Sequence, residues 1–174
     1  MSTVTIQTDR LLMREPRLDD AEALHAAVFA NADAMRFIGD GSTRSLEKVR
    51  ESSHKKQASL AEHGVTLFTL IERETDTVIG DCGVLPIDWE GPGFELAYRL
   101  APAVWGRGYA TEAGAAALAH AWRTTSLDEI EAVTDMGNDA SQRVLAKLNF
   151  EDLGTTTEYY NGEQLRSFII RRPR

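Results

Sequence analysis

The chain has 174 residues, 43% of them hydrophobic and 26% charged, a length and mix that fit one domain, residues 1–174, with a core of its own. Lysine and arginine number 19 against 27 acidic residues, and a net charge of −8 argues against nucleic acid as a partner, because that binding rests on neutralising phosphates. The single cysteine, Cys82, excludes an internal disulfide and a cysteine metal cluster.

Arg10 to Arg14 reads as the first strand, ended by Pro16, and Leu18-Asp19-Asp20 opens a helix to about Asn31 with acidic residues in its first turn. Ser45 caps a second helix that runs to about Glu62 and is closed by Gly64. Its many lysines, glutamates, serines and glutamines predict a mostly solvent-exposed rod. Thr66 to Ile71 and Val78 to Leu85 then form a hairpin, and Phe94 to Leu100 makes the next strand. An alanine-rich helix covers Ala110 to about Thr124, where Ala113, Ala116, Ala117 and Ala121 allow close packing on a sheet. Ile130 to Thr134 is a short strand, and Ala140 to Leu148 a short helix capped by Asn138 or Asp139. The end reads as a hairpin of Glu151 to Tyr160 and Glu163 to Arg171, turning at Asn161-Gly162. The order β-α-α-β-β-β-α-β-α-β-β predicts an α+β fold, with about seven strands in one mixed sheet and about four helices.

Ser2 to Arg10 lacks the apolar segment of a signal peptide, and no apolar run approaches the roughly 20 residues of a membrane span, so a cytoplasmic protein without a membrane partner is expected. The acidic balance favours a cationic substrate such as an amine. His25, His54, His63 and His120 do not have metal-ligand spacing, and no metal is expected.

Most of the chemistry is concentrated in Val104-Trp105-Gly106-Arg107-Gly108-Tyr109-Ala110-Thr111-Glu112-Ala113. Two glycines just before a helix let backbone N–H groups converge, and the helix adds the positive end of its dipole, which suits a pyrophosphate. Tyr109-Ala110 after the second glycine rules out a P-loop, and Thr111 breaks the dinucleotide fingerprint. A plain strand-to-helix connection is the alternative for the loop taken alone.

With that loop, the order of elements resembles the GNAT superfamily of acetyl-CoA-dependent N-acetyltransferases. The opening Thr8-Asp9-Arg10-Leu11-Leu12-Met13-Arg14, the run Trp105 to Ala113, and Asn138-Asp139-Ala140-Ser141 followed by Val144, Lys147 and Phe150 resemble the branch of the ribosomal-protein-alanine N-acetyltransferases. The resemblance implies acetyl-CoA as acetyl donor, with Gly106, Arg107, Gly108, Tyr109 and Ala110 along the pyrophosphate of coenzyme A. Arg107 either adds its charge to the phosphates or is a solvated side chain. Asn138 hydrogen-bonds the pantetheine arm or caps its helix.

The reaction is direct attack of a neutral amine on the thioester, which needs a base, an oxyanion donor and a proton for the leaving thiolate. Glu95, in Phe94-Glu95-Leu96-Ala97-Tyr98, resembles the family glutamate and is the candidate base, with a Glu95–Arg99 pair as the alternative. Alternation sets Glu95, Ala97 and Arg99 on one face and Leu96, Tyr98 and Leu100 on the other. Backbone amides within Leu96 to Arg99 are the candidate oxyanion donors. Ala97 replaces the glycine usual in this run, so a differently shaped bulge is expected. Leu145 stands where many relatives carry the acid tyrosine, and the branch resembled supplies a serine, matched by Ser141; a polar first-turn residue is its alternative role. Asp88 and Trp89 are expected near the acceptor, and Tyr159 or Tyr160 can reach the site from the terminal hairpin, though neither is assigned a catalytic role. The acceptor is a primary amine, either a protein N-terminus or a small molecule such as a polyamine, amino acid derivative or aminoglycoside. A non-catalytic acyl-CoA sensor is the third reading, and family habit alone points to a homodimer.

Overall fold

Eight strands pair into one mixed sheet in the computed structural model, which describes residues 3–174. They are β1 (Thr5–Gln7), β2 (Leu11–Arg14), β3 (Leu67–Glu72), β4 (Thr77–Pro86), β5 (Phe94–Leu100), β6 (Glu129–Asp135), β7 (Glu151–Thr156) and β8 (Leu165–Arg171). Their spatial order is β1-β2-β3-β4-β5-β6-β8-β7, and every neighbouring pair is antiparallel except β5 and β6. The α+β class and the chain order are as expected. The extra strand is β1, a three-residue polar edge whose Ile6 pairs with Met13.

Five helices flank the sheet: α1 (Ala21–Leu24), α2 (Ala32–Met35), α3 (Leu46–His63), α4 (Tyr109–Thr124) and α5 (Asp139–Lys147). The helix expected from Leu18 to about Asn31 is present as one continuous helical run, Leu18 to Phe29, that changes its hydrogen-bonding pattern along its length. A 3₁₀ turn precedes α1, a π-helical turn at His25–Phe29 follows it, and Asn31 begins α2. Asn31 is extended, and its side chain accepts from the amides of Asp33 and Ala34, so it caps the next helix rather than ending the last. Ser45 and the left-handed Gly64 bound α3 as predicted. Much of α3 is exposed, but one stripe, Val49, Ser53, Lys56 and Ser59, is buried. Three of those four residues are polar, which is why apolar periodicity does not reveal the face.

Helix α4 covers one face of the sheet through Ala113, Ala117 and Ala121, all essentially buried. Gly114 lets Leu148 pack closely on the helix, since a Cβ would come 2.7 Å from Leu148 Cδ1 and push that methyl aside. Helices α1 to α3 form a second core, built on Leu24, Val28, Phe29, Met35 and Val49. No helix among the described residues is long and apolar enough to cross a membrane.

Two local expectations need correction. Strand β5 keeps unbroken register with β4 from Gly80↔Leu100 to Pro86↔Phe94, so this pairing contains no bulge at Ala97. The C-terminal hairpin does not turn tightly at Asn161-Gly162. Its last rung is Thr156↔Leu165, and residues 157–164 form a longer connection with a 3₁₀ turn at Tyr160–Gly162. The phenols of Tyr159 and Tyr160 donate to Glu131 and Glu95, contacts that draw this segment onto the middle of the sheet.

Candidate active site

Parallel strands β5 and β6 share one rung, Glu95↔Glu131, and then separate. The opening is a cavity of about 430 Å³, walled by Leu96 to Arg99 on β5, Ala132 to Asp135 on β6, and Asn138, Ser141 and Leu145 of α5. Thr134 Oγ1 is buried in this wall and, among the described residues, is the only buried side-chain polar atom without a hydrogen-bond partner. Helices α4 and α5 begin beyond the C-terminal ends of β5 and β6, so their positive ends flank the opening.

The glycine loop is built as an amide cradle. Gly106 and Gly108 have φ of 73° and 82°, in the left-handed region that glycine enters without strain. Among the described residues, none accepts a hydrogen bond from the amides of Gly106, Arg107 or Gly108. With the first-turn amides of Tyr109 and Ala110, these are free donors at a helix N-terminus. The side chains between them hold the loop. The buried Tyr109 phenol donates to Glu72, and Arg107 Nη2 lies 3.2 Å from the same carboxylate, so Arg107 is paired rather than freely solvated.

Arg10 and Glu112 brace this loop, a role the sequence reading did not give them. Arg10 Nε donates to Glu112 Oε2 at 2.7 Å, its Nη1 to the Arg107 carbonyl at 2.7 Å, and its Cζ sits 4.3 Å from the Tyr109 ring centroid. Thr8 Oγ1 adds a 2.6 Å hydrogen bond to Glu112. The opening motif and the loop motif are therefore one structure, and the signal was their opposite charges within two motifs singled out separately.

Inside the cavity, alternation along β5 separates the polar groups as predicted. Glu95 is 7% exposed and accepts from the Tyr160 phenol. Burial raises its carboxyl to about 7; the Tyr160 hydrogen bond opposes this, and the Asp88 and Glu131 carboxylates reinforce it. The Glu95–Arg99 pair does not form. Arg99 instead donates through Nε and Nη2 to Asp81 on β4, both at 2.7 Å. The strand register explains the choice, because Asp81 lies directly opposite Arg99. Lys56 of α3 reaches the same carboxylate at 2.6 Å and is fully buried. Burial pushes the Asp81 carboxyl up, but Arg99 and Lys56 outweigh it and hold it at about 2.

On the other face, the Tyr98 phenol oxygen is 2.8 Å from Ser141 Oγ and 3.1 Å from the Ser141 carbonyl. Burial raises the Tyr98 phenol well above its ordinary value. Tyr98 is a hydroxyl the sequence reading passed over as an apolar-face residue. Asn138 caps α5 by accepting from the Ser141 amide at 3.1 Å, and it also lines the cavity. Leu145 is buried in the wall where a tyrosine was the alternative. Trp89 lines the cavity whereas Asp88 is not in its wall, and both take positive φ, 65° and 53°. Tyr160 joins Glu95, a contact the sequence did not reveal because it depends on the long hairpin connection.

Comparison with known proteins agrees with this architecture. A model described as an acetyltransferase (GNAT) domain matches residues 10–151. The chain is 28% identical over 155 residues to the uncharacterized N-acetyltransferase p20 of Bacillus licheniformis, covering 89% of this chain and 86% of that one. An acetyltransferase from Agrobacterium tumefaciens superposes with a TM-score of 0.81 at 23% identity, covering 99% of this chain and 96% of that one. RimL, a ribosomal L7/L12 α-N-protein acetyltransferase solved with coenzyme A, superposes with a TM-score of 0.79 at 18% identity, covering 97% and 98%.

Proposed function

The chain belongs to the GNAT family of acetyltransferases, and we propose that it moves an acetyl group from acetyl-CoA to a primary amine by direct attack on the thioester. The observation carrying this reading is the division of labour along β5. A buried carboxyl with a pKa near 7 faces one side of the strand, and a hydroxyl pair faces the other, at the edge of an open wedge.

The roles follow from that arrangement. The amides of Gly106 to Ala110 take the donor's pyrophosphate, and their backbone nature makes them indifferent to most side-chain changes. Asn138, in the cavity wall, serves the amide-bearing arm between the phosphates and the thiol. Glu95, directly or through water, accepts the proton lost by the attacking ammonium. A backbone amide of β5 on the wedge side meets the oxyanion that forms. As the carbon–sulfur bond breaks, Ser141, polarised by Tyr98, orients the thiolate and returns a proton to it. Leu145 leaves that task to them. A cytoplasmic location is part of the same proposal, since acetyl-CoA is made and used there and Cys82 is buried as a free thiol.

The test is to mix the protein with acetyl-CoA and separate pools of peptides with free N-termini, polyamines, amino acids and aminoglycosides, and measure acceptor-dependent thiol release. Release with one pool is the expected result. Tight acetyl-CoA binding with no release in any pool would favour the non-catalytic sensor.

A further inference from the structure

The net charge of the chain is negative and Asp40, Glu95, Asp135 and Glu163 line the cavity, yet two guanidinium groups line it as well. Arg44, in the segment leading into α3, and Arg99 of β5 both line the cavity. Both guanidiniums lie over the buried Phe29 ring, with Cζ at 5.4 Å and 4.8 Å from its centroid. Arg99 uses Nε and Nη2 on Asp81, which leaves Nη1 free. The Arg44 side chain is half-buried, and no described residue accepts a hydrogen bond from it or places a carboxylate within salt-bridge distance. Its backbone amide is held by the Phe29 carbonyl at 2.9 Å, so the residue is fixed at this position.

The charges around the pair do not neutralise it. Asp81 already serves Lys56 and Arg99. Asp40, at the rim, accepts from the amide and hydroxyl of Ser42 and makes no ion pair with Arg44. Asp20 is taken up by Arg14 and Glu95 by Tyr160, so no carboxylate among the described residues pairs with Arg44. An arginine held half-dry beside another, without an anion, is costly unless a ligand supplies the charge.

We propose that the acceptor amine carries a carboxylate, and that Arg44, with the free edge of Arg99, binds it. This rests on the acetyltransferase reading and names the substrate class within it. Glu95 and Arg99 lie four residues apart on the same face of β5, about 13 Å of strand that their side chains reach across, so the acceptor lies between them with its amine towards Glu95 and its anion towards Arg99. The guanidinium fork matches a planar carboxylate. The acceptor shares the cavity of about 430 Å³ with the donor's arm, which points to an amino acid or a close derivative rather than a folded protein terminus.

The test compares each L-amino acid with its α-carboxamide as acceptor, in the wild type and in Arg44→Gln and Arg44→Lys. The wild type is expected to prefer the acid. Arg44→Gln should raise the acceptor KM by about 10- to 100-fold, in keeping with the loss of a charged hydrogen bond. KM for acetyl-CoA and turnover of the carboxamides should stay unchanged. Arg44→Lys keeps the charge but loses the fork and should fall between. A peptide arm, amidated at its C-terminus and carrying glutamate second, tells a free amino acid from an acidic peptide as the source of the carboxylate.

Calorimetry of the same amino acids on the coenzyme A complex separates this proposal from the transferase reading. Arg44-dependent binding without transfer would keep the anion site and remove the reaction. Transfer to acids and amides alike, unaffected by Arg44→Gln, would keep the reaction and overturn the anion site. Absence of both binding and transfer would overturn both.

Discussion

Tyr98 Oη and Ser141 Oγ lie 2.8 Å apart, a hydrogen bond that joins β5 to the first turn of α5 across the wedge. Neither hydroxyl has another side-chain partner among the described residues, so each orients the other.

If the pair delivers one proton, the variants Tyr98→Phe and Ser141→Ala should each lower kcat by about 10- to 100-fold, at or below the usual range for acid catalysis because a thiolate leaves readily. The double variant should be little worse than either single one, since the two act as a unit. Steady-state kinetics on all three would check this. Full multiplicativity would mean the two hydroxyls work separately.

Glu95 combines a catalytic opportunity with a cost in stability. Because its folded pKa is about 7, kcat/KM should rise with pH through about 7 as the base ionises, and Glu95→Gln should remove that limb along with about 10²- to 10⁴-fold of rate. The stability effect has the opposite direction. A carboxyl raised above its unfolded value of 4.5 stabilises the fold fully below pH 4.5, and this contribution is lost as pH rises through 7. Glu95→Gln should therefore melt higher than the wild type at pH 8, by on the order of 3 kcal/mol at most, and the gap should close towards pH 5. Thermal melts at the two pH values test the sign.

The amide cradle distinguishes backbone from side-chain binding. Gly108→Val forces a branched residue into φ 82°, with its Cβ 3.4 Å from Arg10 Nη2, and should weaken coenzyme A binding by more than about 10-fold through backbone strain. Arg107→Ala should cost only a few-fold, because its guanidinium is half exposed and already paired with Glu72. Calorimetric titration with coenzyme A measures both. A larger loss in Arg107→Ala than in Gly108→Val would return the main role to the side chain.

Asp81 anchors two cations. Asp81→Asn leaves the fully buried Lys56 without its anion and should destabilise the fold by about 3–5 kcal/mol. In the wild type the Asp81 carboxyl is depressed to about 2 by Arg99 and Lys56, so its contribution is present above pH 3.8 and lost as pH falls through 2. Denaturant titrations at pH 7 and pH 3 check the size and the sign. A loss under about 1 kcal/mol at pH 7 would mean Lys56 finds water.

The sequence shows what repeats and what punctuates. Period-two runs located β3 to β6 to within a residue or two, and Ser45 and Gly64 gave both ends of α3. The glycine loop was legible because backbone freedom is a local signal, whereas Glu95 was singled out through its resemblance to a family motif. What stayed hidden depends on pairing across the chain. Arg99 chose Asp81 over Glu95 because of strand register, Arg10 meets Glu112 across 102 residues, and Tyr160 reaches Glu95 only because the last hairpin does not close tightly. Arg44 is visible only as an arginine in a polar loop until Phe29 and Arg99 are beside it.

The single rung between β5 and β6 makes the molecule two sub-sheets leaning together, each well stitched within itself. The inner margins of β5 and β6 face one another across the gap with backbone groups left for a guest. A ligand that fills the wedge therefore works as a keystone as well as a reactant. Its arrival should slow hydrogen exchange first at the amides flanking the gap, and the folded state should tighten in proportion to ligand concentration over affinity.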